Sequence, residues 1–346
     1  MKSISVALAS YNGAQHIYEQ LTSIASQTIK PDEIVISDDG SNDNTVTIAR
    51  QFAQKSPFPV NIIINKKKLG FADNFLNAAE HCKCDLIAFC DQDDVWLPNK
   101  LETCYSRMIK DDSLIALHKL NITDEKLNPT GLQWDQGIAL DHVFDPLILD
   151  PFQTGFGNSI MFRRELLYLI DRSRRPRQPF FPERPLSHDT WIYMLAAALG
   201  KVSHIADALI LYRQHDSNAS GALKHRNSLF DSVSIPLNRY KEQSIINQSM
   251  KNIFSYISET SNPFAQEALT AAQVFEKRRY ISNLKIKIYD GKNFSERYNS
   301  HKKYLNIIRN FSIHHQDLNI KSQIKTIVLG VAKVRIILPN SGIRKI

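Results

Sequence analysis

Cysteine is scarce in this 346-residue chain. There are four, Cys82, Cys84, Cys90 and Cys104, all inside one stretch of alternating strand and helix character. Their spacing fits no common zinc motif, and four thiols are too few to staple a chain of this size. A disulfide scaffold and a zinc module are therefore excluded, and buried reduced thiols are expected. Long apolar runs are missing too: no window reaches the ~18 uncharged apolar residues of a bilayer-spanning helix. The first apolar run, Ile4 to Ala9, gives way to Ser10-Tyr11-Asn12-Gly13. It is too short for the apolar core of a secretory signal and reads as a strand. Glycine (12) and proline (14) are modest, and 43% hydrophobic with 23% charged residues excludes collagen-like and disordered chains. At about 100–200 residues per domain, the length allows a large catalytic core and an appendage.

Charge is unevenly distributed around a net of +8. Residues 222–346 carry 21 Lys and Arg against 8 Asp and Glu, whereas residues 1–221 carry 22 against 27. An acidic front part suits a metal ion; a basic rear part suits phosphates, anionic lipid or nucleic acid. The division expected is a catalytic domain over 1–221 and a basic helical region over 222–346. In the first ~120 residues, Ile4–Ala9, Glu33–Ser37, Val60–Asn65, Leu86–Cys90 and Leu114–His118 read as strands. Helices are expected over His16–Gln27, from an Asp43 or Asn44 cap to Ala53, over Phe71–His81 and over Asn99–Lys110, with Pro98 suiting the first turn of the last. Residues 119–150 read as a loop-rich excursion. Beyond them come a strand over Thr154–Phe162, a helix from Glu165, a Pro/Arg loop over 172–185, a helix from Asp189 and a strand pair around 203–213. Such alternation implies βαβ units and a mostly parallel sheet, whose ligands sit beyond the carboxyl ends of the strands. Tyr11-Asn12, Asp38-Asp39 and Asp91-Gln92-Asp93 fall at those ends.

Two carboxylates two residues apart at a strand end, Asp91 and Asp93, suit Mg²⁺ or Mn²⁺ held with open positions for phosphates. The bland alternative is a pair of turn and cap aspartates. Asp189, in Ser187-His188-Asp189-Thr190-Trp191, reads as a helix cap. Five arginines (Arg172, Arg174, Arg175, Arg177, Arg184) interleaved with prolines and Phe180-Phe181 form either a solvated loop or a phosphate clamp beside a membrane. Lys277-Arg278-Arg279, Lys285, Lys287 and Lys292, with an interfacial or packing helix over Thr326–Leu338, suit an anionic membrane surface. Nucleic acid is not expected as a partner, because no helix-turn-helix, zinc-finger or aromatic RNA-binding signature is present.

Taken together, Ile4–Gly13 (ISVALASYNG), Ile34–Ser41 (IVISDDGS), Gly70–Asn74 (GFADN) and Asp91–Trp96 (DQDDVW) resemble the family 2 glycosyltransferases in residues, order and spacing, over roughly residues 1–221. With the later His188-Asp189-Thr190-Trp191, the chain is similar to bacterial enzymes that build surface polysaccharides, many of them rhamnosyl- or glucosyltransferases. The resemblance implies a GT-A fold: a Rossmann-like, mixed, mostly parallel sheet flanked by helices, here followed by the basic helical region. It implies inverting, metal-dependent transfer of a sugar from a UDP- or dTDP-linked donor to a hydroxyl of a glycan on lipid diphosphate. The place would be the cytoplasmic face of the plasma membrane, with the enzyme peripheral to it. By position, Ala9 and Tyr11 would cradle the base and Asp38 accept its N3–H. Asn12, Gly70, Asn74 and Gln92 would line the donor side. Asp91 would stand at the ribose or metal shell, Asp93 would hold the metal, and His215 would join the metal or phosphate shell. Arg213 would grip the diphosphate, with Asp216–Gly221 as a lid. Asp189 would be the general base, kept ionised by its helix N-terminus. Trp96, Arg175, His188 and Trp191 would be acceptor or phosphate contacts, His188 alternatively a flanking side chain.

Three other classes compete. A haloacid-dehalogenase-type phosphatase would use Asp91 as nucleophile, but its second acidic motif should follow that residue, whereas Asp38-Asp39 precedes it. A nucleotidyltransferase should open on a Gly-rich phosphate loop, which Ala9-Ser10-Tyr11-Asn12 is not. A non-catalytic sugar- or lipid-binding module has no need of both Asp93 and Asp189.

Overall fold

The computed structural model describes residues 2–149, 157–177, 184–215 and 234–311. They fall into two compact units, Met1–His225 with Asn252–Ala272, and Arg226–Lys251 with Gln273–Ile346. The first is built on a ten-stranded sheet: β1 (Ile4–Ser10), β2 (Glu33–Asp38), β3 (Val60–Ile64), β4 (Leu86–Cys90), β5 (Val95–Trp96), β6 (Ser113–Thr123), β7 (Pro129–Trp134), β8 (His142–Phe144), β9 (Ile160–Arg163) and β10 (Lys201–Arg213). Its helices are α1 (Ile17–Ala25), α2 (Thr45–Ala53), α3 (Phe71–Glu80), α4 (Lys100–Asp111) and α5 (His188–Leu199). The strand order is β3-β2-β1-β4-β9-β6-β10-β5, with β7 on β6 and β8 on β10. β3, β2, β1 and β4 run parallel, as do β6 and β10; β9 lies antiparallel between β4 and β6.

Burial explains the strand sequences. β1 and β4 are buried at every residue, as continuous apolar runs in a helix-covered parallel sheet must be. The edge strand β3 is only partly buried. On one face Ile4, Val6, Leu8, Leu86, Ala88 and Met161 pack with Ile17, Leu21 and Ile24 of α1, Ala49 and Phe52 of α2, and Leu101, Cys104 and Met108 of α4. The i, i+4, i+7 spacing in α1 sets those side chains in one row. On the other face Phe89 of β4 meets Phe75 of α3 and Phe162 of β9. All four cysteines are buried and free.

Four elements differ from their sequence expectation. The stretch after His118 is an extension of β6 that turns back as β7, not a loop. Asp124 Oδ1 takes the N–H groups of Lys126 and Asn128, and Leu127 enters the left-handed region at φ 63°. A compact turn of polar residues thus looked like an excursion. The strand pair near 203–213 is one strand, β10, with register shifts between Ile205 and Ala208 and between Ala208 and Leu211. Asp141 takes the Ala206 N–H there at 2.7 Å, so the polar interruption is a bulge rather than a turn. The helix expected from Glu165 is a short 3₁₀ segment, Arg164–Tyr168. Among the described residues, the strand expected over Thr154–Phe162 is confined to β9, since Gly157–Ser159 form a 3₁₀ turn before it. Residues 154–156, Phe180-Phe181 of the Arg loop, the 216–221 lid and the 326–338 helix lie outside the described residues.

Helices α6 (Ser234–Glu259) and α7 (Ala265–Asp290) contribute to both units, and α8 (Phe294–Phe311) to the second. Within the second unit Leu284, Ile288 and Tyr304 form a small core with Ile281 and Ile307. The Ser244 hydroxyl donates to Asn283 Oδ1 at 2.6 Å. Lys277, Lys287, Lys292, Lys302 and Lys303 are exposed. No described helix is long and apolar enough to cross a membrane.

Candidate active site

The parallel ladders bring three strand tips to one edge. β1 lies between β2 and β4, with Ser10 opposite Asp38 and Leu8 opposite Cys90. Tyr11-Asn12-Gly13, Asp38-Asp39-Gly40-Ser41 and Asp91-Gln92-Asp93-Asp94 therefore neighbour one another, as the alternation predicts. Ala9 is buried in β1, and the Tyr11 ring is 38% exposed with Lys68 Nζ 3.7 Å from its centroid.

Much of this edge is internal bracing. Asp38, buried, accepts from the Gly40 and Ser41 N–H groups on Oδ1 and from the Ser10 and Ser41 hydroxyls on Oδ2. Four bonds fill its lone pairs, so a base N–H would reach it only by displacing one of them. Asp39 takes the Leu69 N–H (2.7 Å), the Gly70 N–H (2.8 Å) and Asn65 Nδ2 (3.2 Å). It thereby pins the start of α3, where Gly70 has φ 84°, a conformation that favours glycine. Asn74 is engaged as well, donating to the Ser10 carbonyl and accepting from Asn65. The N–H groups of Tyr11, Asn12, Gly13 and Ala14 all go to side chains, of Gln92, Ser41, Thr45 and Asp43. None of the four is left to cradle a phosphate, unlike the amides of a Gly-rich phosphate loop.

The acidic tip of β4 carries the charge. Asp93 Oδ2 lies 2.9 Å from His215 Nε2, a contact that raises the His215 pKa. His16 stands beside them, its ring centroid 5.4 Å from that of His215. Asp91 is pushed well above the carboxylate range by burial and by the charges of Asp94, Asp93 and Asp189. Asp94, wholly buried, is pushed up to about 7 by burial and Asp93. It accepts from Asn158 Nδ2 at 2.6 Å and the Arg213 N–H at 3.1 Å. Lys100, also buried, donates to the Asn158 carbonyl at 2.6 Å and lies 3.6 Å from the Trp96 ring centroid. Burial pulls its pKa down to about 8.

Arg213 is placed differently from the expected phosphate grip. It is buried, and Nε donates to the Asp93 carbonyl (2.7 Å), Nη1 to the Glu125 carbonyl (2.5 Å) and Nη2 to Glu19 (2.5 Å). It braces the acidic tip from behind. His188 is buried, stacked on Phe75 at 4.0 Å and edge-on to Phe89 and Phe71, with neither ring nitrogen hydrogen-bonded. Burial lowers its pKa to about 4. Of its two readings, this placement is that of a packing side chain. Trp96 and Trp191 are likewise buried, and Arg175 is buried against Asp73 at 2.8 Å. Asp189 lies in the first turn of α5, where its Oδ1 accepts from the Thr190 N–H (2.6 Å) and the Ser187 hydroxyl. Its charge acts on Asp91, so one carboxylate both satisfies a helix-start amide and lies within electrostatic reach of the acidic tip.

His16, Asp39, Asp94, Lys100 and Asn158 carry no sequence signal of their own. Asp39 and Asp94 stood second in conspicuous acidic pairs; in the fold both Asp38 and Asp39 are buried braces, whereas of the second pair Asp94 is buried and Asp93 is only partly so. Among the described residues no group of three or more His, Cys, Asp or Glu side chains gathers as a complete metal cage. The pair Asp93 and His215 nevertheless fits a cation of the Mg²⁺ or Mn²⁺ kind, which is commonly held by one or two protein ligands with phosphates completing the shell. The crowding that opposes ionisation of Asp91 is the field a cation would relieve.

Polar and acidic side chains at the carboxyl ends of parallel strands define an α/β ligand-binding enzyme architecture. Residues 5–169 match the family described as Glycosyl transferase family 2. Over those residues the chain carries a family 2 glycosyltransferase domain. An uncharacterized glycosyltransferase of Nostoc sp. is 29% identical over 225 residues, 62% of this chain and 66% of that protein. The dTDP-rhamnosyl transferase RfbG of Shigella flexneri is 27% identical over 234 residues, 62% of this chain and 74% of that one. An Escherichia coli UDP-Glc:alpha-D-GlcNAc-diphosphoundecaprenol beta-1,3-glucosyltransferase, WfgD, is 28% identical over 165 residues, 44% and 64% of the two chains. The solved structure of S. aureus TarS 1–349 in complex with UDP superposes with a TM-score of 0.53 at 17% identity, covering 84% of this chain and 73% of that chain, which fixes the fold as GT-A-like.

Proposed function

We propose that the protein moves a sugar, with inversion, from a UDP- or dTDP-linked donor to a hydroxyl of a bacterial surface glycan carried on lipid diphosphate. The observation that carries the reading is the convergence of Asp93 with His215, of Asp91, and of Asp189 upon one edge of the sheet. RfbG and WfgD, by their names, use dTDP-rhamnose-type and UDP-glucose donors, the second on a lipid-diphosphate acceptor. The base and sugar lie against the Tyr11 and Asp38 tips. Asp93 and His215 would hold a divalent cation, which when bound would neutralise negative charge on the diphosphate. Asp189 takes the acceptor hydroxyl's proton as that oxygen attacks the anomeric carbon from the face opposite the nucleotide. Arg213 keeps the Asp93 backbone in place through the Asp93 carbonyl.

Residues 1–221 form the catalytic part of this reading, and 222–346 the part that meets the anionic inner face of the plasma membrane, where a lipid-linked acceptor is presented. Exposed Lys277, Lys287, Lys292, Lys302 and Lys303 support that role. A panel of UDP- and dTDP-sugars, assayed for cation-dependent hydrolysis and for transfer to lipid-diphosphate glycans, tests the proposal. Turnover of one such donor only with Mg²⁺ or Mn²⁺ is expected. Turnover confined to other nucleotides, or indifferent to chelator, would overturn it.

A further inference from the structure

We infer that Gln92 is a positioning residue for the donor, holding the Tyr11–Gly13 turn in shape, and that residue 13 is glycine to make room for it. The inference rests on the reading of the strand tips as the donor cradle. The Gln92 carboxamide meets the Tyr11 peptide twice. Oε1 accepts from the Tyr11 N–H at 2.9 Å, and Nε2 donates to the Tyr11 carbonyl at 3.0 Å. These two bonds join the tips of β1 and β4 beyond the point where their ladder ends, at Leu8 and Cys90. Only an amide of this length closes both: a glutamate has no donor, and an asparagine is one carbon short.

The turn needs the brace. Asn12 stands at φ 49°, in the left-handed region that a residue with a Cβ enters at a cost. On its other side the turn is tied to the β2–α2 loop through Ser41, Asn42, Thr45 and Asp43. Gly13 is required by space: a Cβ there would lie 2.1 Å from Gln92 Oε1 and 2.4 Å from its Cδ. Gln92 thus acts on the donor through Tyr11, whose exposed ring is what the turn presents.

Hydrogen exchange of the segment around Tyr11–Gly13 and UDP and dTDP affinity, measured on the wild type, Gln92→Ala, Gly13→Ala and the double variant, test the clamp. Gln92→Ala should speed exchange in that segment, lower the melting temperature by no more than a few degrees, and weaken nucleotide binding by up to about tenfold, the scale of two lost neutral hydrogen bonds. At saturating donor, kcat should stay within roughly threefold, so the loss falls in KM. Gly13→Ala should reproduce this by ejecting Gln92. In the Gln92→Ala background the added methyl has room, so the double variant should be no worse than Gln92→Ala alone. Wild-type exchange and affinity in Gln92→Ala, or a double variant showing the product of the two single effects, would overturn the inference. If the wild type binds neither nucleotide, the donor reading of the tips fails, while the exchange comparison still decides the clamp.

Discussion

The two sides of the catalytic unit are built differently. On the donor side, the tips of β1, β2 and β4 are laced together by side chains: Asp38, Asp39, Asn74, Gln92 and Thr45 take or supply bonds to the turns around them. On the side proposed for the acceptor, around the start of α5, the expected contacts His188, Trp191 and Arg175 are folded into the interior, and the partly buried Asp189 lies within electrostatic reach of Asp91. In the proposed function, the difference teaches that the donor would meet turns already laced together, whereas the acceptor would meet one carboxylate on a well-packed helix. Preorganised donors and dipoles need no rearrangement as charge develops on the diphosphate.

That contrast predicts separable failures. Asp93→Ala removes the carboxylate from the cation and diphosphate position, so transfer should fall by roughly 10³-fold or more with the fold intact. Metal-dependent transfer near the wild-type rate would break the donor side of the comparison. Asp189→Asn keeps size and much of the helix-start bonding while removing the proton acceptor, so kcat should fall by roughly 10²–10⁴-fold. If Asp189 served the helix alone, this variant would keep its rate, and only Asp189→Ala would lose stability.

Two stability measurements sharpen the comparison. Arg213→Met leaves the Asp93 and Glu125 carbonyls without their buried donor, and should cost about 2–3 kcal/mol in denaturant unfolding. His188 tests the packing on the acceptor side by pH. Its folded pKa, about 4, lies below the unfolded value near 6.5, so the unfolded chain binds the proton first. Its contribution is complete above pH 6.5 and is lost as pH falls towards 4. Between pH 7 and pH 5 this should remove about 2 kcal/mol. His188→Phe, which keeps an aromatic ring beside Phe75, should lose correspondingly less over the same interval. An unchanged pH profile would mean that the imidazole is solvated.

The smallest expected effect belongs to the helical region. Replacing Lys302 and Lys303 of α8 by Glu should weaken binding to anionic vesicles several-fold at low salt, by the usual contribution of a basic residue near a charged bilayer. The difference should shrink in high salt. Binding that ignores both changes would remove the membrane from the account.

The strands that form the site were legible because each is a buried apolar run ending abruptly in polar residues, and the helices between them because their apolar residues recur on one face. What was not legible is which polar residue at a tip faces the ligand. Asp93 and Asp94 look alike in sequence, yet Asp94 is buried and Asp93 only partly so, while Asp38 and Asp39 are both buried and differ only in which turn each one braces. The family resemblance puts Arg213 at the diphosphate by its position; its partners Glu19 and Glu125 are far away in the chain and leave no local signal. His188 read as an open choice because a histidine inside an aromatic cluster has no local signature. The β6–β7 hairpin was hidden because Asp124 and Asn128 signal a turn but not what flanks it.

The central claim is that the β4 tip, with Asp93, holds the donor and its cation, and that Asp189 acts only on the acceptor. Calorimetric titration of UDP and dTDP into the wild type, Asp189→Asn and Asp93→Ala, each with and without Mg²⁺ or Mn²⁺, tests it most directly. The account predicts cation-dependent binding of equal strength in the wild type and Asp189→Asn, and its loss in Asp93→Ala. Equal binding in all three proteins, or loss in Asp189→Asn with retention in Asp93→Ala, would contradict it.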